Sequence, residues 1–189
     1  NLIQGSSYYG TIGGGTGNSI VGNGFGITLS GGAYNGIGGA DYVTLGGGAY
    51  NSIGDLAQHA VLAGGYGNVI GPGASDAVLG GGTGNRIGTN ALQSTIGGGN
   101  ANTVYASTGT IGGGADNYVY LGAYGATIGG GVQNLIQISA TYATIAGGWN
   151  NQVQGLPGGF AAEYGFIGGG LNNAIEPFGC GSVIGGGQQ

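Results

Sequence analysis

The feature that most constrains this chain is a glycine cluster that recurs eleven times within 189 residues. When the last glycine of each cluster is taken as an anchor, neighbouring anchors lie 15 to 17 residues apart, except for one spacing of 22. The residue before the anchor is glycine in every copy. The anchors are Gly15, Gly32, Gly48, Gly65, Gly82, Gly99, Gly114, Gly131, Gly148, Gly170 and Gly187. Such a short period predicts a repeat architecture in which each copy builds one structural unit.

Two apolar columns and one asparagine column keep fixed distances from the anchor. Isoleucine or leucine stands three residues before the anchor, and isoleucine or valine stands five residues after it. Asparagine stands three residues after the anchor, and Asn1 has the same spacing to Ile3 at the start of the chain. The asparagines are Asn1, Asn18, Asn35, Asn51, Asn68, Asn85, Asn102, Asn117, Asn134, Asn151 and Asn173. Because strand alternation puts residues i and i+2 on one face, we expect an internal asparagine ladder.

The composition favours an all-β fold. Glycine supplies 54 residues, which is costly in helices, and no helical apolar spacing is present. The glycines are clustered, which excludes collagen, and a hydrophobic content of 40% argues against disorder. Short alternating segments between glycine corners predict a β-solenoid of eleven coils of about 17 residues. Identical columns of such a solenoid stack about 4.7–4.8 Å apart.

The two ends of the chain fit the same period. From Gly187 through the last residue to Gly15 of a following copy the distance is 17 residues. "GGGQQ" followed by "NLIQ" also closely matches "GGGVQNLIQ" at 129–137. We therefore expect 1–189 to be a single continuous solenoid, uncapped at both ends, and one unit of a longer array. Its copies are either covalent in tandem or separate subunits stacked head to tail, and the long tail 154–165 is expected to protrude.

The "TIGGGxxNxI" repeats resemble the head repeats of trimeric autotransporter adhesins and the related glycine-rich β-roll repeats of phage fibres and surface proteins. The likeness covers the whole chain and is one of repeat style. It implies a β-roll on a bacterial surface, with trimerisation and adhesion as properties of the family.

Charge and motif patterns argue against several function classes. A net charge of −5 with a single arginine disfavours nucleic acid, and no run of 18 apolar residues is present to insert into a membrane. No lysine follows the glycines as in a phosphate-binding loop. Calcium-binding glycine repeats need an aspartate in each copy, and among the glycine clusters only Asp116 supplies one. We expect no cofactor, no metal and no enzymatic activity.

A few single residues stand out from the repeat. His59 could pair with Asp55 or with Asp76, which lies one period later in the same column. Cys180 is predicted mainly as a small buried residue, with an idle thiol or an inter-chain crosslink as the other hypotheses. Trp149 replaces a polar residue beside the glycines and suggests a lateral contact or local packing. The candidate lateral contacts are Trp149, Phe160, Tyr164 and Cys180.

Each cluster contains two invariant glycines, whereas a single corner residue with a left-handed backbone would require only one. Either the corner is unusually tight, or a ridge without side chains runs along the solenoid and lets another chain pack laterally. Threonine precedes the Ile/Leu column in seven coils, which makes an ice-binding array a minor alternative, although the array is one residue wide. These threonines are Thr11, Thr28, Thr44, Thr95, Thr110, Thr127 and Thr144.

The leading hypothesis is a structural segment of an extracellular or cell-surface filament, sheath or matrix whose partners are copies of itself. The alternative is a surface adhesin or phage tail-fibre shaft. In that case tyrosine-rich tails such as 6–10 and 120–125 would contact host glycans or host surfaces.

Overall fold

A computed structural model describes residues 1–158 and 161–188. These residues form no helix, and they confirm the predicted all-β solenoid of about eleven turns. Strands pair in parallel with strands about one repeat away, as Val69 pairs with Arg86 and Ile70 with Ile87. Equivalent positions of successive coils therefore lie above one another, as the fixed columns of the sequence predict.

One parallel sheet, here called the asparagine sheet, has eleven strands that each begin just after a column asparagine. Its strands, in order along the sheet, are Leu2–Gln4, Ser19–Val21, Gly36–Ile37, Ser52–Ile53, Val69–Ile70, Arg86–Ile87, Thr103–Val104, Tyr118–Val119, Leu135–Ile136, Gln152–Val153 and Ala174–Ile175. In the two-residue strands the first side chain faces outward and the second faces the core, because alternate residues of a strand point to opposite faces.

A second parallel sheet of eleven strands, here called the threonine sheet, precedes the glycines of each coil. Its strands are Thr11–Ile12, Thr28–Leu29, Thr44–Leu45, Val61–Leu62, Val78–Leu79, Thr95–Ile96, Thr110–Ile111, Thr127–Ile128, Thr144–Ile145, Phe166–Ile167 and Val183–Ile184. A column of isolated parallel bridges, which includes Val132 and Trp149, continues the stack on the other side of the glycines. Ser7–Tyr8 and Gly24–Phe25 form a further two-stranded parallel sheet in the first coils.

The core contains the two apolar ladders that the sequence predicts. Leu79 and Ile96 of the threonine sheet and Ile87 of the asparagine sheet are fully buried. Burying a side chain of this size contributes about 1.5–3 kcal/mol to the free energy of unfolding. Ile12 and Ile184, in the outermost strands of the threonine sheet, are only partly buried.

The tail of the coil adds a buried layer that the sequence analysis missed. Alanines recur in pairs three residues apart, such as Ala57 with Ala60 and Ala74 with Ala77, and all four are fully buried. Their small side chains fill the interior where the chain closes each turn. In the longest tail Gly155 forms an antiparallel bridge with Ala161. There residues 156–158 are exposed, whereas Ala161 and the following alanine are buried.

Candidate functional surfaces

The buried asparagine ladder is the most regular feature of the interior. The Asn134 side-chain amide Nδ2 donates to the carbonyl oxygens of Gly130 and Gly148, both at 3.0 Å. Its Oδ1 accepts the backbone N–H of Asn151 at 3.0 Å and the Asn151 side-chain amide at 3.1 Å. The contacts of the amide with the two glycine carbonyls repeat from Asn18 to Asn173, so each of these asparagines satisfies the corner backbone of its own coil and of the next. Among the described residues no buried side-chain N or O atom lacks a partner.

The glycine corner is explained by close contact between successive coils. Gly82 has φ +86°, a backbone conformation that favours glycine, and a Cβ at this position would overlap the carbonyl oxygen of Gly99 in the next coil. The same overlap recurs at each anchor from Gly15 to Gly170. The preceding Gly81 has φ +125°, which side chains also rarely adopt. Stacking and backbone conformation therefore account for the anchor glycine, and backbone conformation accounts for the preceding glycine in eight coils. At Gly113, Gly130 and Gly147 the backbone has no left-handed φ and no atom lies closer than 3.9 Å to an added Cβ, so neither cause explains the glycine there.

The first position of the cluster is less restricted than the anchor. Ser30, Ala63 and Ala146 occupy it in three coils, where each carries a Cβ within the same stack. This is the position of Gly80 in a standard coil. A Cβ at Gly80 would also overlap a backbone carbonyl, that of Gly97, but Gly80 lacks the left-handed φ of Gly82. The sequence, which places serine or alanine there in three coils, therefore marks the first position as more tolerant than the anchor.

Many residues other than glycine hold positive φ in two turn columns. One column follows the glycines and includes Tyr34 (φ 55°) and Tyr50 (φ 57°), and the other lies in the tails and includes Tyr142 (φ 56°) and Tyr164 (φ 55°). Other coils have glycine there, for example Gly84 at φ 64°. A left-handed conformation costs an L-residue about 1–2 kcal/mol, whereas an aromatic pair contributes about 0.5–1.5 kcal/mol beyond its burial. Stacking energy alone does not account for tyrosine at these positions.

The exposed rings form short ladders along the solenoid, which the sequence analysis missed. Tyr34 stacks on Tyr50 with ring centroids 5.2 Å apart, and Tyr50 meets Tyr66 edge-on at 5.5 Å. Tyr142 stacks on Tyr164 at 5.3 Å. A further ladder lies in the first tails, where adjacent ring centroids are 5.1 to 5.7 Å apart; it runs through Tyr9, Phe25, Tyr42 and His59. The ladders in the tails could have been found by aligning the tails on their turn positions, and Tyr34 and Tyr50 both stand two residues after an anchor glycine.

A tyrosine cluster on the asparagine sheet contains a phenol with shifted acidity. Burial raises the pKa of Tyr118 to about 12, with repulsion from Tyr105 and Tyr120 and a hydrogen bond with Tyr105 acting in the same direction, while Arg86 lowers it. The Tyr118 and Tyr120 ring centroids are 4.3 Å apart. A shallow groove of about 380 Å³ adjoins this cluster and the long tail. It is lined by Tyr120, Leu135, Gln137, Ile138, Gly155 and Pro157.

His59 and the nearby aspartates make separate polar contacts. Of the two partners expected for His59, the structure selects Asp76, with Nδ1 and Oδ1 3.1 Å apart. Both side chains are about half exposed, so the pair contributes at most about 1 kcal/mol. Asp55 instead accepts the backbone N–H of Gly39 at 2.7 Å.

The four residues predicted as lateral contacts differ in exposure and in what they contact. Trp149 is exposed and its Nε1–H donates to Gln133 Oε1 at 2.8 Å, which gives it a local packing role. Tyr164 belongs to a stacked pair. Cys180 is exposed, so the main expectation that it is buried is wrong. Phe160 lies outside the described residues. A lateral role for these residues remains a prediction.

Within residues 1–158 and 161–188, no three His, Cys, Asp or Glu side chains are grouped as a metal site would require. The same ranges contain no helix long and apolar enough to cross a bilayer. No protein-family model and no curated protein matches the chain.

Proposed function

We propose that the chain is a structural segment of an extracellular or cell-surface filament, and that it assembles by axial stacking of coils on copies of itself. The observation that carries the proposal is the translational repeat of the coil edge. Each coil presents the same backbone donors and acceptors to the coil above as it receives from the coil below. Thr83 N–H, for example, donates to Gly99 O, and Asn100 N–H donates to Gly114 O, both at 2.9 Å. Opposite edges of one such solenoid are therefore complementary.

On this proposal a stacked copy would meet the outermost strands of the chain. Both parallel sheets end in strands that have a neighbour on one side only in the described structure. At the first coil the side chains of Leu2 and Ile3 are 51% and 46% exposed, although Ile3 belongs to a column that is buried elsewhere. Open strand edges with exposed apolar side chains favour pairing with a further strand. An added coil would bury Ile3 and extend the asparagine ladder.

The exposed tyrosines favour a second candidate function. Tyr8, Tyr9 and Tyr124 are 66%, 78% and 52% exposed, and such rings suit contact with host glycans or surfaces. On this alternative the chain is the shaft of an adhesin or phage tail fibre. The outward threonine column would serve the minor ice-binding alternative, but Val61, Val78, Phe166 and Val183 interrupt it.

A pair of lysine variants tests the filament proposal. Ile3→Lys places a charge where a stacked coil would bury it, and burying an unpaired charge is strongly unfavourable. Leu121→Lys places the same charge on a tail side chain that is 61% exposed and away from the coil edges. By electron microscopy and sedimentation velocity, we expect filaments from the wild type and from Leu121→Lys, and dispersed chains from Ile3→Lys. Dispersed wild-type chains, or equal assembly of both variants, would refute axial stacking of separate chains.

A further inference from the structure

Two tyrosine pairs on the surface share one geometry. Tyr34 and Tyr50 have ring centroids 5.2 Å apart and ring planes 13° apart, and Tyr142 and Tyr164 have values of 5.3 Å and 15°. The four side chains are between 53% and 57% exposed. Each pair is therefore both aligned and open to dissolved reagents.

The alignment follows from the repeat. The two members of each pair occupy the same turn column in successive coils, and their φ angles lie between 55° and 57°. Side chains that leave identical backbones one coil apart project in the same direction, so their rings lie nearly parallel. At this spacing the two rings of each pair face each other as nearest aromatic neighbours, and a bond would require the carbons ortho to the two hydroxyls to approach further.

We propose that Tyr34 with Tyr50, and Tyr142 with Tyr164, are sites of oxidative coupling to dityrosine by peroxide-derived one-electron oxidants. Each phenol gives one electron and its hydroxyl proton to the oxidant and becomes a phenoxyl radical. The two radicals form one C–C bond between ortho carbons, and the two ortho hydrogens then move to the oxygens and restore both phenols. One hydrogen peroxide is reduced to two water molecules for each bond formed.

The bond would tie successive coils together. It would close a covalent loop between residues 16 positions apart in the first pair and 22 positions apart in the second. Closing such loops restricts the unfolded chain, as disulfides do. The inference concerns neighbouring coils of one chain and does not depend on filament formation.

Other tyrosines offer less suitable geometry. Tyr50 and Tyr66 meet at 64° with centroids 5.5 Å apart, so one ring presents its edge to the other. Tyr118 and Tyr120 are close, but their planes are tilted by 41° and they belong to one coil, so a bond between them would join no coils. Tyr124 is 52% exposed and is not a member of either stacked pair, which makes it a matched control.

The test is peroxidase with hydrogen peroxide acting on the dilute full chain, prepared as an equal mixture of normal and nitrogen-isotope-labelled protein. Dityrosine fluorescence gives the yield, and mass spectrometry of proteolytic peptides locates each bond and reports whether it joins one chain or two. The paired variant Tyr34→Phe with Tyr142→Phe retains aromatic rings at both sites but leaves a single phenol in each pair, so two phenoxyl radicals cannot form side by side there. Tyr124→Phe is the control, and circular dichroism checks that each variant keeps the wild-type fold.

We expect the wild type to give peptides that join 34 with 50 and 142 with 164 without isotope mixing. The paired variant should lose most of the fluorescence, and Tyr124→Phe should keep the wild-type yield. Bonds spread over all exposed tyrosines, bonds only between chains, or equal yields from the paired variant and the control would overturn the proposal. Coupling at one pair alone would support that site and overturn the other.

Discussion

The corner of each coil and its tail differ in how much their residue types vary from one coil to the next. At the corner, the two invariant glycines and the buried asparagine keep their residue types, whereas the two residues between them vary. The tail varies in length and in side chains, although it is also packed against the core through alanines such as Ala74 and Ala77. Burial alone therefore does not fix the sequence in this solenoid.

The difference lies in what each region contacts. At the corner, backbone meets backbone directly, and Asn85 Nδ2 donates to Gly81 O at 2.8 Å and to Gly99 O at 2.9 Å. A change of residue there leaves a backbone group overlapped or without a partner. In the tail, small side chains fill space, so Ser94 can occupy a position that is alanine in several other coils.

The largest loss of stability is expected when a methyl group is added at the anchor glycine. Gly82→Ala should lower the free energy of unfolding by about 3–5 kcal/mol, because left-handed strain adds to overlap with the Gly99 carbonyl. Denaturant unfolding measures the loss. Gly80→Ala is the matched comparison: its Cβ also meets a backbone carbonyl, that of Gly97, but it adds no left-handed strain, and Ala63 and Ala146 occupy the equivalent position in other coils, so we expect a smaller loss. Equal losses from both variants would contradict the distinction between the two glycine positions.

A smaller loss is expected when one asparagine leaves the ladder. Asn85→Ala removes both amide donors and the Oδ1 that accepts Asn102 N–H at 2.9 Å, so we expect a loss of about 2–4 kcal/mol in unfolding free energy. Asn100→Ala changes an exposed asparagine nearby and should stay within about 0.5 kcal/mol of the wild type. If thermal and denaturant unfolding give both variants the same stability, the ladder does not stabilise the corner.

The smallest effect is expected in the tail. Ser94 Oγ donates to Ala106 O at 2.7 Å, and that carbonyl also accepts Gly109 N–H at 3.3 Å. Ser94→Ala should therefore change the unfolding free energy by less than about 1 kcal/mol. A loss of unfolding free energy as large as that of Asn85→Ala would show that the tail tolerates substitution no better than the corner does.

The columns next to the glycines could be predicted because they keep their distance from the anchor. The inward asparagine followed two residues later by isoleucine or valine is one example, and Asn85 with Ile87 illustrates it. The sequence left the cause of the glycine invariance open between a tight corner and a lateral ridge, because the close approach of Gly82 to Gly99 arises between coils and has no signal within one repeat.

The tail was harder to predict because its length varies. The alanine pair Ala57 and Ala60 shows in the sequence as A-x-x-A, but changes in tail length obscure its column when copies are aligned on the glycines. Tyrosine stacking depends on which tail residue adopts positive φ, as Tyr142 does at 56°. Cys180 was misjudged because cysteine usually behaves as a small buried residue, and nothing in its own repeat indicated an outward position.

The asparagine ladder also has a direction. Each amide donates toward the following coil and accepts from it, as Asn134 does with Gly148 and Asn151, and the arrangement never reverses along the chain. The two ends of a stack of such coils are therefore chemically different. A coil turned upside down would not present the same order of donors and acceptors at the junction. Any growing assembly of these coils would therefore be polar, with unequal rates of addition at its two tips.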